Sequence, residues 1–228
     1  MDDIVPSPSG SVTASISGVG VIDKAMLIVD ALAGRPCTLN DLVETSGLNR
    51  ATAHRLASAL CDHGMARRLD DGRFALGYRL LELGRRVAEE LPLAAIAQPI
   101  LEQLRTETQE SAQLYVQDGS ERVCVAAAES EHGLRTIVPV GRRLTMAKGS
   151  AALVLLGRTP DTGYAVSVGE REPGVASVSA PVHDASRRVV AAISVSGPID
   201  RTSTDPGHRY GHQVIDAATD LETALGWR

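Results

Sequence analysis

At 228 residues the chain is longer than most single domains, so two small domains, each burying its own core, are the expected organisation. Hydrophobic residues make up 43% and charged residues 22%, and no apolar run approaches the roughly 18 residues of a membrane span, which points to a soluble globular protein. The net charge of -5 would oppose nucleic-acid binding, but it is unevenly spread: between Gly18 and Arg86 ten Lys/Arg stand against eight Asp/Glu, so this part of the chain permits phosphate contact without demanding it.

Residues 1–17 lack a basic start and an apolar stretch and are rich in Ser, Pro and Gly, which reads as a disordered tail on a cytoplasmic protein rather than a signal peptide. Three cysteines, Cys37, Cys61 and Cys124, are odd in number, widely spaced and form no CxxC; reduced, buried thiols are expected.

Residues 18–77 carry the pattern of a winged helix-turn-helix. Val21, Ala25, Ile28 and Leu32 recur at helical spacing until Gly34 and Pro36 stop them. Thr38 followed by Asp41 three residues later is a capping box, predicting a helix from Leu39 that ends at Ser46-Gly47. Asn49 or Arg50 opens a third helix with an apolar stripe of Ala53, Leu56, Ala57 and Leu60. At 100° per residue, Ala51, His54, Arg55 and Ser58 face away from that stripe, with Arg50 and Thr52 in the first turn. Two helices, a tight glycine turn and a small, hydrogen-bonding outer face are what insertion into a DNA major groove requires. Arg55 could fork onto a guanine edge, while His54, Thr52 and the cap residue Thr38 could donate to bases or phosphates. Residues 65–69 and 73–76 then read as short strands around an Asp71-Gly72 turn, a wing whose Arg67, Arg68 and Arg73 could lie along phosphates. The plainer alternative is a small packed helical domain with solvated arginines.

Tyr78 to Leu91 reads as a linker helix ended by Pro92, within a linker of residues 78–92. The second domain, residues 93–228, starts with a helix over 93–110. Strands are predicted at 112–117, 122–128, 134–140, 175–182 and 188–196, and helices at 149–156 and 208–225: an α+β, sensor-like layout. Gly149-Ser150 opens a helix and could hold a carboxylate or phosphate through free N–H groups and the helix dipole, although Gly and Ser also begin many helices that bind nothing.

Two other classes compete weakly. A hydrolase built on Ser150 or Cys124 lacks a GxSxG elbow or any recognisable catalytic context. A metal sensor would rest on His208 and His212, four apart, or on Cys61-Asp62-His63, and neither supplies a third ligand; no metal or other cofactor is expected.

VIDKAMLIVDAL, LVETSGLNRATAHRLASAL and GRFALGYRLLELG in the first domain, with VGRRLTMAKGSAALVLL, REPGVASVSAPV and VVAAISVSGPI in the second, resemble the IclR family of bacterial regulators from Gly18 to about Gly226. SGVGVIDKA, ESAQLY, CVAAAE and GEREPGVASVSAPV look closest to the actinobacterial regulators of leucine and tryptophan biosynthesis. The resemblance implies a GAF-like effector domain, homodimers that often pair into tetramers, a double-stranded DNA operator, and a small acid or amino-acid effector. It also implies pocket positions at Leu144, Met146, Ser150, Ala151, Ser167, Val175, Ser177, Ser194 and Ser196. Here the connection around residues 158–162 is shorter than the family's, so either the pocket lacks a lid or the sequence omits residues of the native protein.

Overall fold

Side-chain caps set where the second and third helices of the N-terminal unit begin. The computed structural model describes Ser17 and residues 19–89, 92–202 and 205–228, so the expected tail, apart from Ser17, lies outside the described residues. The chain divides into one unit ending at Val87 and a second spanning Ala88–Arg228.

In the first unit α1 (Gly20–Gly34) buries Ile28 and Leu32 and leaves Val21, Ile22 and Met26 exposed. The predicted capping box opens α2 (Leu39–Ser46): Thr38 Oγ1 accepts from the Asp41 N–H at 3.2 Å, and the Asp41 carboxylate accepts from the Thr38 N–H at 2.7 Å. A two-turn helix is marginal alone, and this reciprocal cap satisfies two otherwise orphaned N–H groups. Gly47 closes it in the left-handed region, at φ 66°. Asn49 caps α3 (Arg50–Asp62) by accepting from the Thr52 N–H at 2.9 Å. Ala53, Leu56 and Ala57 then pack with Ile28, Leu32, Leu42 and Phe74 in one core.

The hairpin follows as β1 (Ala66–Arg68) and β2 (Phe74–Leu76), antiparallel, with Gly72 at φ 84° in the turn. Cys37 adds an unforeseen bridge: its N–H donates to the Phe74 carbonyl and its carbonyl accepts from the Phe74 N–H, both at 2.8 Å. The segment leading into α2 is thereby tied to the wing. The chain continues into α4 (Tyr78–Glu89).

The second unit opens with α5 (Pro92–Thr108). The preceding helix ends at Glu89, ahead of Pro92, and Pro92 itself takes the first position of α5, where a missing N–H costs nothing. The remaining elements are β3 (Ser111–Asp118), β4 (Glu121–Ala128), β5 (Arg143–Thr145), α6 (Ser150–Leu155), β6 (Ala165–Val168), β7 (Val175–His183), β8 (Val189–Pro198), α7 (Ile199–Thr202) and α8 (Pro206–Ala224). The strands make one antiparallel sheet in the order β5-β4-β3-β8-β7-β6.

Because side chains alternate along a strand, the sheet has two distinct faces. Leu114, Val178, Ala180, Ile193 and Val195 meet Leu101 and Leu104 of α5 and Tyr210, Val214 and Leu221 of α8. Tyr115, Cys124, Ala165 and Ala192 turn the other way and pack with Ala151 and Val154 of α6. Between β3 and β4 the register slips: Leu114 pairs with Ala126 but Tyr115 with Cys124, so Val125 forms a bulge. The slip sends Cys124 to the α6 face while Ala126 and Ala128 face α5.

Three expectations change. Residues 134–140 form no strand: Pro139 has no N–H to give and Gly141 turns the chain at φ 87°, so hydrogen bonding to β4 begins at Gly141, whose N–H donates to the Cys124 carbonyl at 2.7 Å, and strand pairing at Arg143. The edge strand β6 and the single turn α7 were not foreseen. The last helix begins two residues before the expected His208, at Pro206, with Asp205 accepting from the His208 N–H at 3.1 Å. Of the cysteines, Cys37 and Cys124 are buried but Cys61 is only half-buried.

Two outcomes follow. A Cβ on Gly211 would lie 2.3 Å from Tyr164 Cε1, and one on Gly207 2.8 Å from Tyr164 Cε2, so α8 presents a glycine groove to that ring. Helix propensity favours Gly211→Ala by about 1 kcal/mol, but overpacking costs about 1–3 kcal/mol; urea denaturation should show a net loss, and a gain would mean that the ring yields freely. Burial pushes the Cys124 thiol up to about 12, so at pH 8 a thiol reagent should modify Cys61 in the native protein and reach Cys37 and Cys124 only on unfolding.

Candidate functional site

Recognition-helix residues divide by face as helical geometry requires. Ala51, His54 and Arg55 are exposed on the side of α3 opposite Ala53, Leu56 and Ala57, which are buried; Thr52 and Ser58 are half-buried at the edges. Arg50 is exposed and donates to Asn40 Oδ1 on α2. The Thr38 hydroxyl is committed to the cap, donating to Asp41 Oδ2 at 2.7 Å.

The wing arginines differ. Arg73 is held 2.7 Å from Asp71 inside the turn, and its hydrogen bond keeps the Asp71 carboxyl below the usual carboxylate range. Arg67 stacks 4.9 Å from the centre of the Tyr78 ring and is half-buried. Arg68, exposed and lying over Phe74, is the most open of the three.

In the second unit, seven of the nine positions taken from the resemblance line one cavity between α6 and the sheet: Ser150, Ala151, Ser167, Val175, Ser177, Ser194 and Ser196. Leu144 packs instead into the adjoining apolar cluster, and Met146 is buried outside the cavity wall. A chain of hydroxyls runs through the site. Ser150 Oγ lies 2.7 Å from both Ser177 Oγ and Ser179 Oγ, Ser179 donates to Ser194 at 2.9 Å, and Ser194 donates to the Val178 carbonyl at 3.3 Å. Ser196 donates to Gln113 Oε1 at 3.0 Å. The enclosed volume, about 20 Å³, is room for about one water.

Gly149, expected with Ser150 at the helix start, also lines the cavity; Tyr115, Arg122 and Arg171 complete the lining and were missed in the sequence. Arg122 is 2% exposed, donates to the Thr145 carbonyl, and has its guanidinium 5.5 Å from the Tyr115 ring centre. Its Nε is buried with no hydrogen-bond partner among the described residues. Burial lowers its pKa, Tyr115 opposes that shift and Arg171 adds to it; an arginine still carries its charge at neutral pH. Arg171 lies 3.7 Å from Glu172, a carboxylate that is 62% exposed, and hydrogen-bonds the Tyr115 side chain. Burial raises the Tyr115 pKa, so its hydroxyl stays neutral.

The expected helix-dipole contribution is small. With six residues α6 has little dipole, and the Gly149 N–H already meets Glu170 Oε2 at 3.3 Å. Negative charge would be answered here by side chains. Among the described residues no histidine or carboxylate lines the cavity. His208 and His212 are exposed on α8, and no group of three described His, Cys, Asp or Glu residues could hold a metal. No described helix is long and apolar enough to cross a membrane.

The model of the IclR helix-turn-helix domain matches residues 21–70, and that of the bacterial transcriptional regulator IclR C-terminal matches residues 85–162 and 154–223. The two C-terminal pieces overlap in 154–162, where α6 is followed by the short connection to β6. The HTH-type transcriptional regulator KipR of Bacillus subtilis is 28% identical over 240 residues, spanning 90% of this chain and 96% of that protein. The transcriptional repressor IclR of Escherichia coli is 27% identical over 226 residues, 82% of each chain. In structure, an IclR homolog from Microbacterium hydrocarbonoxydans complexed with 4-hydroxybenzoate superposes with a TM-score of 0.76 at 22% identity, covering 91% of this chain and 100% of that one. Both models and both relatives are transcriptional regulators rather than enzymes, and the matched residues span the helix-turn-helix and the sensor-like sheet alike: the chain belongs to the IclR family of bacterial transcriptional regulators.

Proposed function

We propose that this regulator is a repressor of amino-acid biosynthesis genes, such as those of the leucine and tryptophan pathways, released or engaged by a small acid or amino-acid effector. The observation that carries the DNA-binding half is the division of α3, with Arg55 and His54 exposed over a fully apolar inner face. In this reading Arg55 reads a base edge. Arg50, Thr52, Ser58 and the cap at Thr38 position the helix on phosphates, Ala51 allows close approach, and Arg67, Arg68 and Arg73 carry the wing along the backbone. The gene class rests on the sequence likeness of SGVGVIDKA, ESAQLY, CVAAAE and GEREPGVASVSAPV to the actinobacterial leucine and tryptophan regulators.

A homodimer, able to pair into a tetramer, suits the exposed Val21, Ile22 and Met26 on α1 and the exposed Tyr78, Leu81 and Val87 on α4. Two protomers would read a pseudo-palindrome with half-sites about one helical turn, roughly 34 Å, apart. The protein would act at the nucleoid in the cytoplasm, with residues 18–77 on DNA, 78–92 as the linker and 93–228 as the sensor. The effector would sit in the serine-lined cavity, with Leu144 and Met146 outside its lining. It can switch DNA binding only through different affinities for two arrangements of the chain, and the linker helix is the element that would transmit the difference.

Two variants test these halves in a salt-controlled titration against DNA upstream of the protein's own gene and of a leucine-biosynthesis operon. Arg55→Ala should cost about 1–3 kcal/mol and relax specificity at one base position; wild-type affinity would mean that α3 reads DNA with another face. Ser150→Ala should leave operator affinity intact while blunting the response to added acids, and equal loss of both would argue against a separate sensor site.

A further inference from the structure

The cavity holds more positive charge than its surroundings answer. Arg122 is almost wholly buried, its Nε is unpartnered among the described residues, and Arg171 lines the same space. The nearest carboxylates are at the rim: Glu170, exposed, facing the Gly149 N–H, and Glu172, exposed, 3.7 Å from Arg171 Nε. Two guanidinium groups with no lining carboxylate between them repel one another in a low-dielectric site, and an anion that accepts from both removes that repulsion. A zwitterionic amino acid would bring a third cation beside them, with no carboxylate in the lining to receive it. A neutral ligand would leave both charges unanswered.

We propose that the effector is a short dicarboxylate whose two negative charges are met by Arg122 and Arg171, with the serine hydroxyls orienting it. The inference rests on reading this cavity as the effector site. Guanidinium and carboxylate are both planar and can exchange two parallel hydrogen bonds, so the arginines would select geometry as well as charge. As it stands the cavity, about 20 Å³, holds about one water and no dicarboxylate, so binding requires the wall to open, and Arg171, with 17% of its side chain exposed, is the lining residue placed to move.

The test uses the full-length protein in calorimetric titrations with oxalate, malonate, succinate and glutarate, each against the monocarboxylate of equal carbon number, and with leucine. At least one dicarboxylate should bind about tenfold or more tightly than its monocarboxylate counterpart and than leucine. Arg171→Gln, at the rim and therefore compatible with folding, should erase that preference, and Arg122→Gln should do the same wherever its circular dichroism matches wild type. A monocarboxylate or leucine binding as tightly as every dicarboxylate, no dicarboxylate binding, or a preference that survives Arg171→Gln would each overturn the proposal. Operator affinity measured on the same samples separates the two levels: intact DNA binding without dicarboxylate preference removes only the ligand assignment, whereas loss of DNA binding by the wild type removes the regulatory reading beneath it.

Discussion

The second unit is organised around a helix that meets its sheet through hydroxyls. Ser150, at the start of α6, shares its oxygen with Ser177 and Ser179 of β7, and the chain passes to Ser194 of β8 before ending on a backbone carbonyl. Buried polar groups are tolerated only when satisfied, so each serine requires the next, and together they fix the distance between α6 and the sheet. The apolar cluster of Tyr115, Cys124, Val154 and Ala192 lies beside this polar seam and supplies the cohesion that the hydroxyls lack. The cavity, its two arginines and its small volume are consequences of that spacing.

The N-terminal unit solves a different problem, that of making two- and three-turn helices persist with few core residues. Caps at Thr38 and Asn49 and the Cys37 bridge to Phe74 supply hydrogen bonds where propensity and burial are insufficient. The same devices free the outer face of α3 from structural duty. Ala51, His54 and Arg55 are exposed because Ala53, Leu56 and Ala57 already carry the packing.

Legibility in the sequence followed the range of the interactions. The capping box, the glycine turns, the stripe on α3 and the Asp-Gly hairpin are written within a few residues of one another and were all readable. So were the serines of the cavity, through their likeness to a family pattern. Arg122 and Arg171 were not, because each enters the cavity from a segment with no local motif, and the charge that matters is the one left over after distant neighbours have been placed. The strand expected at 134–140 failed for a related reason: its apolar residues suit a strand, but Pro139 and Gly141 decide where hydrogen bonding to β4 can start. Strand β6 was hidden because four residues at a sheet edge give too little alternation to read.

The bulge at Val125 bears on how this chain can change length. Upstream of it Cys124 looks toward α6; downstream Ala126 and Ala128 look toward α5. Removing Val125 would make Cys124 and Ala126 consecutive and restore an unbroken alternation with both surfaces kept, whereas removing one residue upstream of the bulge would turn a thiol or an arginine toward the larger apolar core. Insertions and deletions in β4 are therefore constrained by parity: steps of two preserve both faces, and a step of one is tolerated only by removing the bulge residue itself or where a second, compensating step lies within the same strand.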